Sequence, residues 1–171
     1  PGVAAAGRSH SAAVWAFAAR ATGTELSYHN VFFAADPQSE FTALAAGRMP
    51  RQPTVYVCAQ DRIGGALLAT ERFEVILNAP PLTRAAQPVE EARCRDLTFP
   101  PLARFGLSFD PPPDPAALSL PQDFDRMFPG SAGSIYGSSP RGLTAALQRP
   151  MARTAVPGLY LAGGGVHPGP G

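Results

Sequence analysis

The sequence predicts a mixed α/β (α+β) fold: a largely antiparallel mixed sheet of short strands with two or three short helices on it. Three observations lead there. Thr54–Cys58 and Phe73–Ala79 are compact runs of strand formers, each followed by turn or loop residues. Asp36 to Gly47 carries helix punctuation at both ends. Finally, 17 glycines and 20 prolines among 171 residues divide the chain into short elements with many turns.

Residues 1–10 are small and polar and read as loose. Ser11–Ala19 supports two readings, because its alanines favour a helix while Ala13, Trp15 and Phe17 form one face of a strand. Trp15 reads as core, and Gly23 breaks the element. Tyr28–Phe33 is a second strand-forming run. His29 within it invites a catalytic role, but no carboxylate or second ligand stands at useful spacing, so a hydrogen-bonded structural role is expected. In the first helix Asp36 is the N-cap, Pro37 the first helical residue and Gly47 the left-handed stop, with Phe41, Leu44 and Ala45 as the buried stripe.

Thr54–Cys58 is apolar on both faces and reads as an internal strand. Ala59–Gly65 reads as a loop, Phe73–Ala79 as the next strand, and Pro80-Pro81 as its end. A second helix is expected from Pro88, with Glu90 and Glu91 at its positive end, stopping at Pro100-Pro101. Phe109–Pro115 is expected to be an extended connector. Pro121–Phe128 is a short helix begun by proline and ended by Pro129-Gly130, and Gly130–Gly137 is a loop without the frame or lysine of a phosphate-binding loop.

Composition narrows the function. Apolar content of 45%, charge of 16% and a net charge of +1 suit a globular chain with no nucleic-acid partner. All 14 cationic side chains are arginine, which excludes chemistry that needs a lysine. Cys58 and Cys94 stand far apart, without a paired-cysteine or histidine pattern, so two buried thiols are expected rather than zinc or a disulfide. No apolar run is long enough to span a bilayer.

The most specific stretch is the last, Pro157-Gly-Leu-Tyr-Leu-Ala-Gly-Gly-Gly-Val-His-Pro-Gly-Pro-Gly171. Gly158–Ala162 reads as a buried strand in the middle of a sheet. The glycines after it let the backbone turn sharply and let a flat or anionic group approach closely. This string resembles the C-terminal flavin-contacting motif of the phytoene desaturase family of FAD-dependent carotenoid dehydrogenases, above all its bacterial hydroxycarotenoid (methoxyneurosporene) desaturase branch. His29–Phe33, Thr54–Arg62, Gly130–Gly137 and Leu143–Pro157 are also similar to stretches of that family. The resemblance runs from about Ser11 to Gly171. It tips Ser11–Ala19 towards strand.

The resemblance implies a piece of a two-domain FAD-dependent oxidoreductase without its N-terminal Rossmann half. Residues 1–145 would be part of the substrate-binding domain, and 146–171 the return into the FAD-binding domain, with the final strand in a neighbouring parallel sheet. It implies FAD in the full-length protein, contacted by Gly163, Gly164, Gly165, Val166 and Gly169, with no catalytic side chain assigned. Valine stands at 166 where the family usually has threonine, and glycine at 164 where many flavin amine-oxidase relatives have aspartate. Arg149 and Arg153 are weighed between flavin phosphates and scaffold. It implies a carotenoid or other polyene substrate in an apolar tunnel; Trp15, Phe32, Phe33, Tyr56 and Phe73 are candidates, each weighed against plain core packing. A cytoplasmic protein, peripheral on the membrane, follows from the lipid-soluble substrate. No glycine-rich turn sits between a strand and a helix here, so this chain alone is not expected to hold FAD. Two alternatives stand beside this reading: a flavoprotein acting on an amine, protoporphyrinogen, retinoid or other isoprenoid, and a truncated non-catalytic module that binds an apolar ligand.

Overall fold

The computed structural model describes residues 7–64, 68–83, 86–137, 139 and 149–167. Its centre is β1 (Ser11–Gly23), and the choice between helix and strand is settled as strand. The strand is long because its alanines are small enough to pack in a sheet and its large residues, Trp15 and Phe17, fall two apart on one face. β2 (His29–Phe32), β3 (Val55–Ala59), β4 (Glu71–Ala79) and β5 (Leu107–Asp110) join it in one sheet of order β2-β3-β4-β1-β5. A two-residue β6 (Leu118–Ser119) pairs with β1 at Val14 and Trp15. Every pairing is antiparallel. Among the described residues three α-helices complete the fold, α1 (Pro37–Ala45), α2 (Glu91–Arg104) and α3 (Pro121–Met127). The expected mixed α/β class, with a largely antiparallel sheet and short helices, is what the structure has.

The register sorts residues by parity. Trp15 stands opposite Val75, Ala13 opposite Leu77 and Phe17 opposite Phe73, while Val55 and Val57 continue the rows on β3. These odd-numbered positions form the core with Cys94, Leu97 and Leu102 of α2. The Phe99 ring meets Trp15 edge-on at 5.1 Å, and the Arg95 guanidinium lies 4.9 Å from the Trp15 ring centre. Phe17, Phe73 and Phe109 extend the aromatic cluster at centroid distances of 5.0 to 5.8 Å. Trp15 and Phe73 are thus core residues.

Several elements depart from expectation. Pro100 and Pro101 do not stop α2; both lie inside it. Neither has an N–H, so the Asp96 and Leu97 carbonyls lose their usual donors. Burial outweighs that loss, because Cys94, Leu97 and Thr98 before the prolines and Leu102 after them are all seated in the core. In α1 the N-cap is as expected, with the Asp36 carboxylate accepting from the Ser39 N–H at 3.2 Å. Its buried face, however, is Glu40 and Leu44, while Phe41 and Ala45 are exposed. Glu40 is drawn in because its carboxylate accepts from the Thr54 N–H at 2.9 Å and from the Asn78 amide at 3.1 Å. Phe41 instead stacks on His10. The stretch 60–64 is a 3₁₀ turn rather than an open loop. Its Arg62 makes a buried two-point pair with Glu71, at 2.6 and 2.8 Å. Phe109 and Asp110, expected in a connector, belong to β5.

Gly158–Ala162 differs most. It forms one isolated antiparallel bridge, Arg153 with Tyr160, and Tyr160 is 67% exposed. Among the described residues no further strand lies beside it, so its apolar side chains have no sheet to be buried in. The boundary expected at residues 145/146 lies outside the described residues.

Gly23 shows how closely the backbone packs where β1 meets the turn after α2. Its φ is +93°, and a Cβ there would overlap the Gly106 carbonyl oxygen. Gly64 has open space around the same position. Gly23→Ala is therefore expected to lower unfolding free energy by more than about 1 kcal/mol, with Gly64→Ala close to neutral. Urea midpoints of the two variants, measured side by side, check this.

Candidate functional site

Even-numbered strand positions make the second face of the sheet, and it is covered far less. Val31 of β2 stands opposite Tyr56 of β3, Tyr56 opposite Ile76 of β4, and Ile76 opposite Val14 of β1. These four side chains form one straight row across four strands, spanning roughly 14 Å between the outer backbones. Val31 is 46% exposed and the other three are half-buried. Among the described residues α1 reaches this face only at its end, through the Glu40–Asn78 hydrogen bond.

The next row is polar. His29, Cys58, Glu74 and Ala16 face one another in the same way. His29 Nδ1 lies 2.5 Å from the Tyr56 hydroxyl, tying the two rows together. His29 thus has the hydrogen-bonded role expected of it. Burial, with hydrogen bonding to Cys58 adding to it, pushes the Tyr56 phenol up to about 12. For Tyr28 the charge interaction with Cys58 comes first, with a hydrogen bond to the same side chain adding to it, and both raise its phenol. Glu74 is half-buried and has no ion pair or hydrogen bond among the described residues. Its neighbour on the same face of β4, Arg72, is held by Asp61, whose carboxyl that contact keeps below the usual range.

The tunnel candidates divide accordingly. Tyr56 lies on the open face. Phe32 and Phe33 line a separate cleft of about 530 Å³ between the end of β2 and α2, with Val55, Leu97, Pro101 and Phe105 and the arginines 51, 93 and 104. Val14, Val31, Glu74 and Ile76 were not singled out from the sequence. The signal for them was the strict alternation in β3 and β4, read one residue out of phase with the core. Both thiols are buried, as expected, and burial pushes Cys94 up to about 11. Among the described residues no cluster of metal-ligating side chains occurs, and no helix is long and apolar enough to cross a membrane.

The glycine turn is built differently. Arg149, 7% exposed, donates to the Tyr136 carbonyl at 3.1 Å and to the Gly164 carbonyl at 2.7 Å. It clamps the loop at 130–137 to the turn at 163–166, which is the scaffold role. Arg153 is in the bridge to Tyr160. The Val166 N–H closes the turn on the Gly163 carbonyl at 3.1 Å, and the His167 N–H bonds the Pro150 carbonyl at 2.9 Å. Among the described residues the N–H groups of Gly163, Gly164 and Gly165 make no hydrogen bond. Nothing lies within 4 Å of a Cβ built on Gly163 or Gly165. Gly169 lies outside the described residues.

Tyr56 offers a direct check of the polar row. A free phenol ionises near 10, so the unfolded chain loses this proton first as pH rises. The stabilisation linked to Tyr56 is full below pH 10 and disappears between about pH 10 and 12. Phenolate absorbance is expected to show one late step near pH 12, and Tyr56→Phe is expected to remove it.

No family model matches the chain. Three curated proteins do, each named hydroxyneurosporene desaturase. That of Cereibacter sphaeroides is 57% identical over 96% of this chain, that of Rhodobacter capsulatus 54% over 95%, and that of Rubrivivax gelatinosus 41% over 99%. The chain spans 33% of the length of each of these relatives. The resemblance carried by its motifs therefore holds: along nearly all of its length, the chain is similar in sequence to the hydroxyneurosporene desaturases of the carotenoid desaturase family.

Proposed function

We propose that this chain is the substrate-side part of an FAD-dependent carotenoid desaturase, and that the open sheet face holds the polyene. The observation that carries the reading is the similarity over 95% or more of the chain to proteins named hydroxyneurosporene desaturases. The geometry is compatible with it. A polyene is a long, flat, apolar rod, and Val31, Tyr56, Ile76 and Val14 offer it a straight apolar row. The one ionisable group in the row is the Tyr56 phenol, which burial keeps protonated at neutral pH, and this suits a reaction whose hard step belongs to a cofactor.

For FAD the fit rests on the glycine turn. Unengaged N–H groups at Gly163, Gly164 and Gly165, with open space where side chains would stand at Gly163 and Gly165, suit the close approach of a large group with hydrogen-bond acceptors. We place these three residues against the flavin, with Val166 closing the turn through its N–H on the Gly163 carbonyl. Bound flavin would supply the acceptor for a hydride from the carotenoid. The chain's own side chains hold the polyene, keep it straight and exclude water from it. Residues up to about 145 would form the substrate part, and those from 146 onward the return towards the flavin. A lipid-soluble substrate would place the working protein at the cytoplasmic membrane surface.

The test is conversion of hydroxyneurosporene by the longer protein that contains this chain, supplied with FAD. The product should have lost two hydrogens and absorb at longer wavelength, because the conjugated system grows. Ile76→Asp and Val31→Asp are expected to lower the rate at least tenfold while flavin stays bound. Flavin-loaded protein that leaves the carotenoid unchanged would refute the reading. The 171-residue chain alone is expected to yield no stoichiometric yellow complex with FAD.

A further inference from the structure

The cleft between the end of β2 and α2 lies apart from the apolar row, and its lining joins two kinds of surface. Val55 and Leu97 form a buried apolar floor, with Phe32, Phe33 and Phe105 beside it. The Phe32 and Phe105 rings lie 5.4 Å apart, while Phe33 is 70% exposed and Phe105 54%. Around them stand Arg51, Arg93 and Arg104, all exposed, against one carboxylate, Asp96. Along α2 the spacing 93, 97, 101, 104 sets Arg93, Leu97, Pro101 and Arg104 on one stripe. Helix geometry alone thus puts a cation at each end of an apolar stretch.

Among the described residues these three arginines make no ion pair, whereas Arg20, Arg62, Arg72, Arg95 and Arg126 each hold a carboxylate. Arg51 and Arg93 also border an adjoining groove, which adds Arg48 and the carboxylates of Asp36 and Glu90. The excess of positive charge is therefore at the aromatic cleft. Unpaired guanidinium groups around apolar side chains suit an anionic head on a hydrocarbon stem. Guanidinium pairs with phosphate oxygens at two points, and exposed aromatic side chains take the stem at interfacial depth. A bilayer surface with anionic phospholipid presents that chemistry. The place in the fold agrees. Among the described residues β2 pairs on one side only, with β3, so the cleft lies at the edge of the sheet. The apolar row of the open face begins at the same edge, at Val31, one residue from Phe32.

We propose that this cleft seats the headgroup of an anionic phospholipid at a bilayer surface, its phosphate against Arg51, Arg93 and Arg104 and the start of its hydrocarbon against Phe32, Phe33 and Phe105. The contact turns the β2 edge towards the bilayer. Val31, the outer end of the apolar row, is then the first position that a membrane-dissolved polyene reaches. That second step rests on the open face being the polyene site, whereas the lipid contact stands without it. Each basic side chain near an anionic surface corresponds to roughly fivefold in affinity, and salt weakens the attraction.

The experiment uses the longer protein that contains this chain, supplied with FAD and sedimented with vesicles. One set is phosphatidylcholine alone, the other equal parts phosphatidylcholine and phosphatidylglycerol. Binding is expected to be at least about tenfold tighter to the anionic vesicles and to fall as salt rises. Arg51→Gln and Arg104→Gln together should weaken binding to anionic vesicles at least about tenfold and leave neutral vesicles unaffected. Arg93→Gln should give a roughly fivefold loss of its own, and Phe33→Ser should weaken binding to both kinds of vesicle. Circular dichroism checks that each variant is folded, and the two arginine variants serve as independent tests. Hydroxyneurosporene dissolved in detergent should be converted by the double arginine variant within about twofold of the wild-type rate, while conversion from anionic vesicles falls with binding. Equal wild-type binding to the two kinds of vesicle overturns the lipid contact. So do folded arginine variants that bind anionic vesicles like the wild type, the result expected if another part of the longer protein covers the cleft. Arginine-dependent binding to anionic vesicles without conversion of the carotenoid in detergent supports the lipid contact and refutes the desaturase reading alone.

Discussion

Both faces of this sheet depend on the register of β1 against β4, with Trp15 opposite Val75 and Val14 opposite Ile76. In a strand the side chains alternate, so one register assigns every residue to a face. Odd positions carry Trp15, Phe17, Phe73, Val75 and Leu77, and they are sealed by α2. Even positions carry Val14, Glu74 and Ile76, and they stay accessible. A slip of one residue would bury Glu74 and expose Trp15, which opposes the burial of the whole aromatic cluster. The same alternation therefore makes the core and the candidate site.

The covered face explains how α2 survives its two prolines. An isolated helix would be broken there, at a cost of about 3 kcal/mol or more per proline. Here its two halves are anchored separately, by Cys94, Leu97 and Thr98 on one side and Leu102 on the other. Arg95 adds to the anchor, with its guanidinium over Trp15 and a hydrogen bond to the Pro113 carbonyl at 2.9 Å. The aromatic contacts hold the helix against β1, and β1 holds the register. The open face inherits its straight row from packing on the opposite side.

The glycine turn shows a different division of labour. Arg149 uses buried donors on two backbone carbonyls, those of Tyr136 and Gly164. That fixes the start of the turn to the rest of the chain, so the unengaged amides of Gly163 to Gly165 have a defined place even though the preceding segment makes only one bridge. A buried arginine with its donors satisfied by carbonyls is a rigid strut, because a guanidinium offers its hydrogens in a fixed plane.

Much was determined by the sequence itself. Asp36-Pro37 starts a helix because the aspartate side chain reaches an N–H within the same turn, and this is a local interaction. Thr54–Cys58 and Phe73–Ala79 are strands by local alternation, and the glycine string carries its family resemblance in residue order alone. What the tertiary structure decided is non-local. Ser11–Gly23 is a strand because β4, β5 and β6 supply partners for its backbone. Glu40 is buried rather than Phe41 because Thr54 and Asn78, far along the chain, present two donors there. Gly158–Ala162 is exposed because no described strand lies beside it to bury its side chains. The rows Val31–Tyr56–Ile76–Val14 and His29–Cys58–Glu74–Ala16 are assembled from four strands, and no window of sequence contains them. Local chemistry selects the elements, while pairing register, which is a property of the whole sheet, selects which side chains meet.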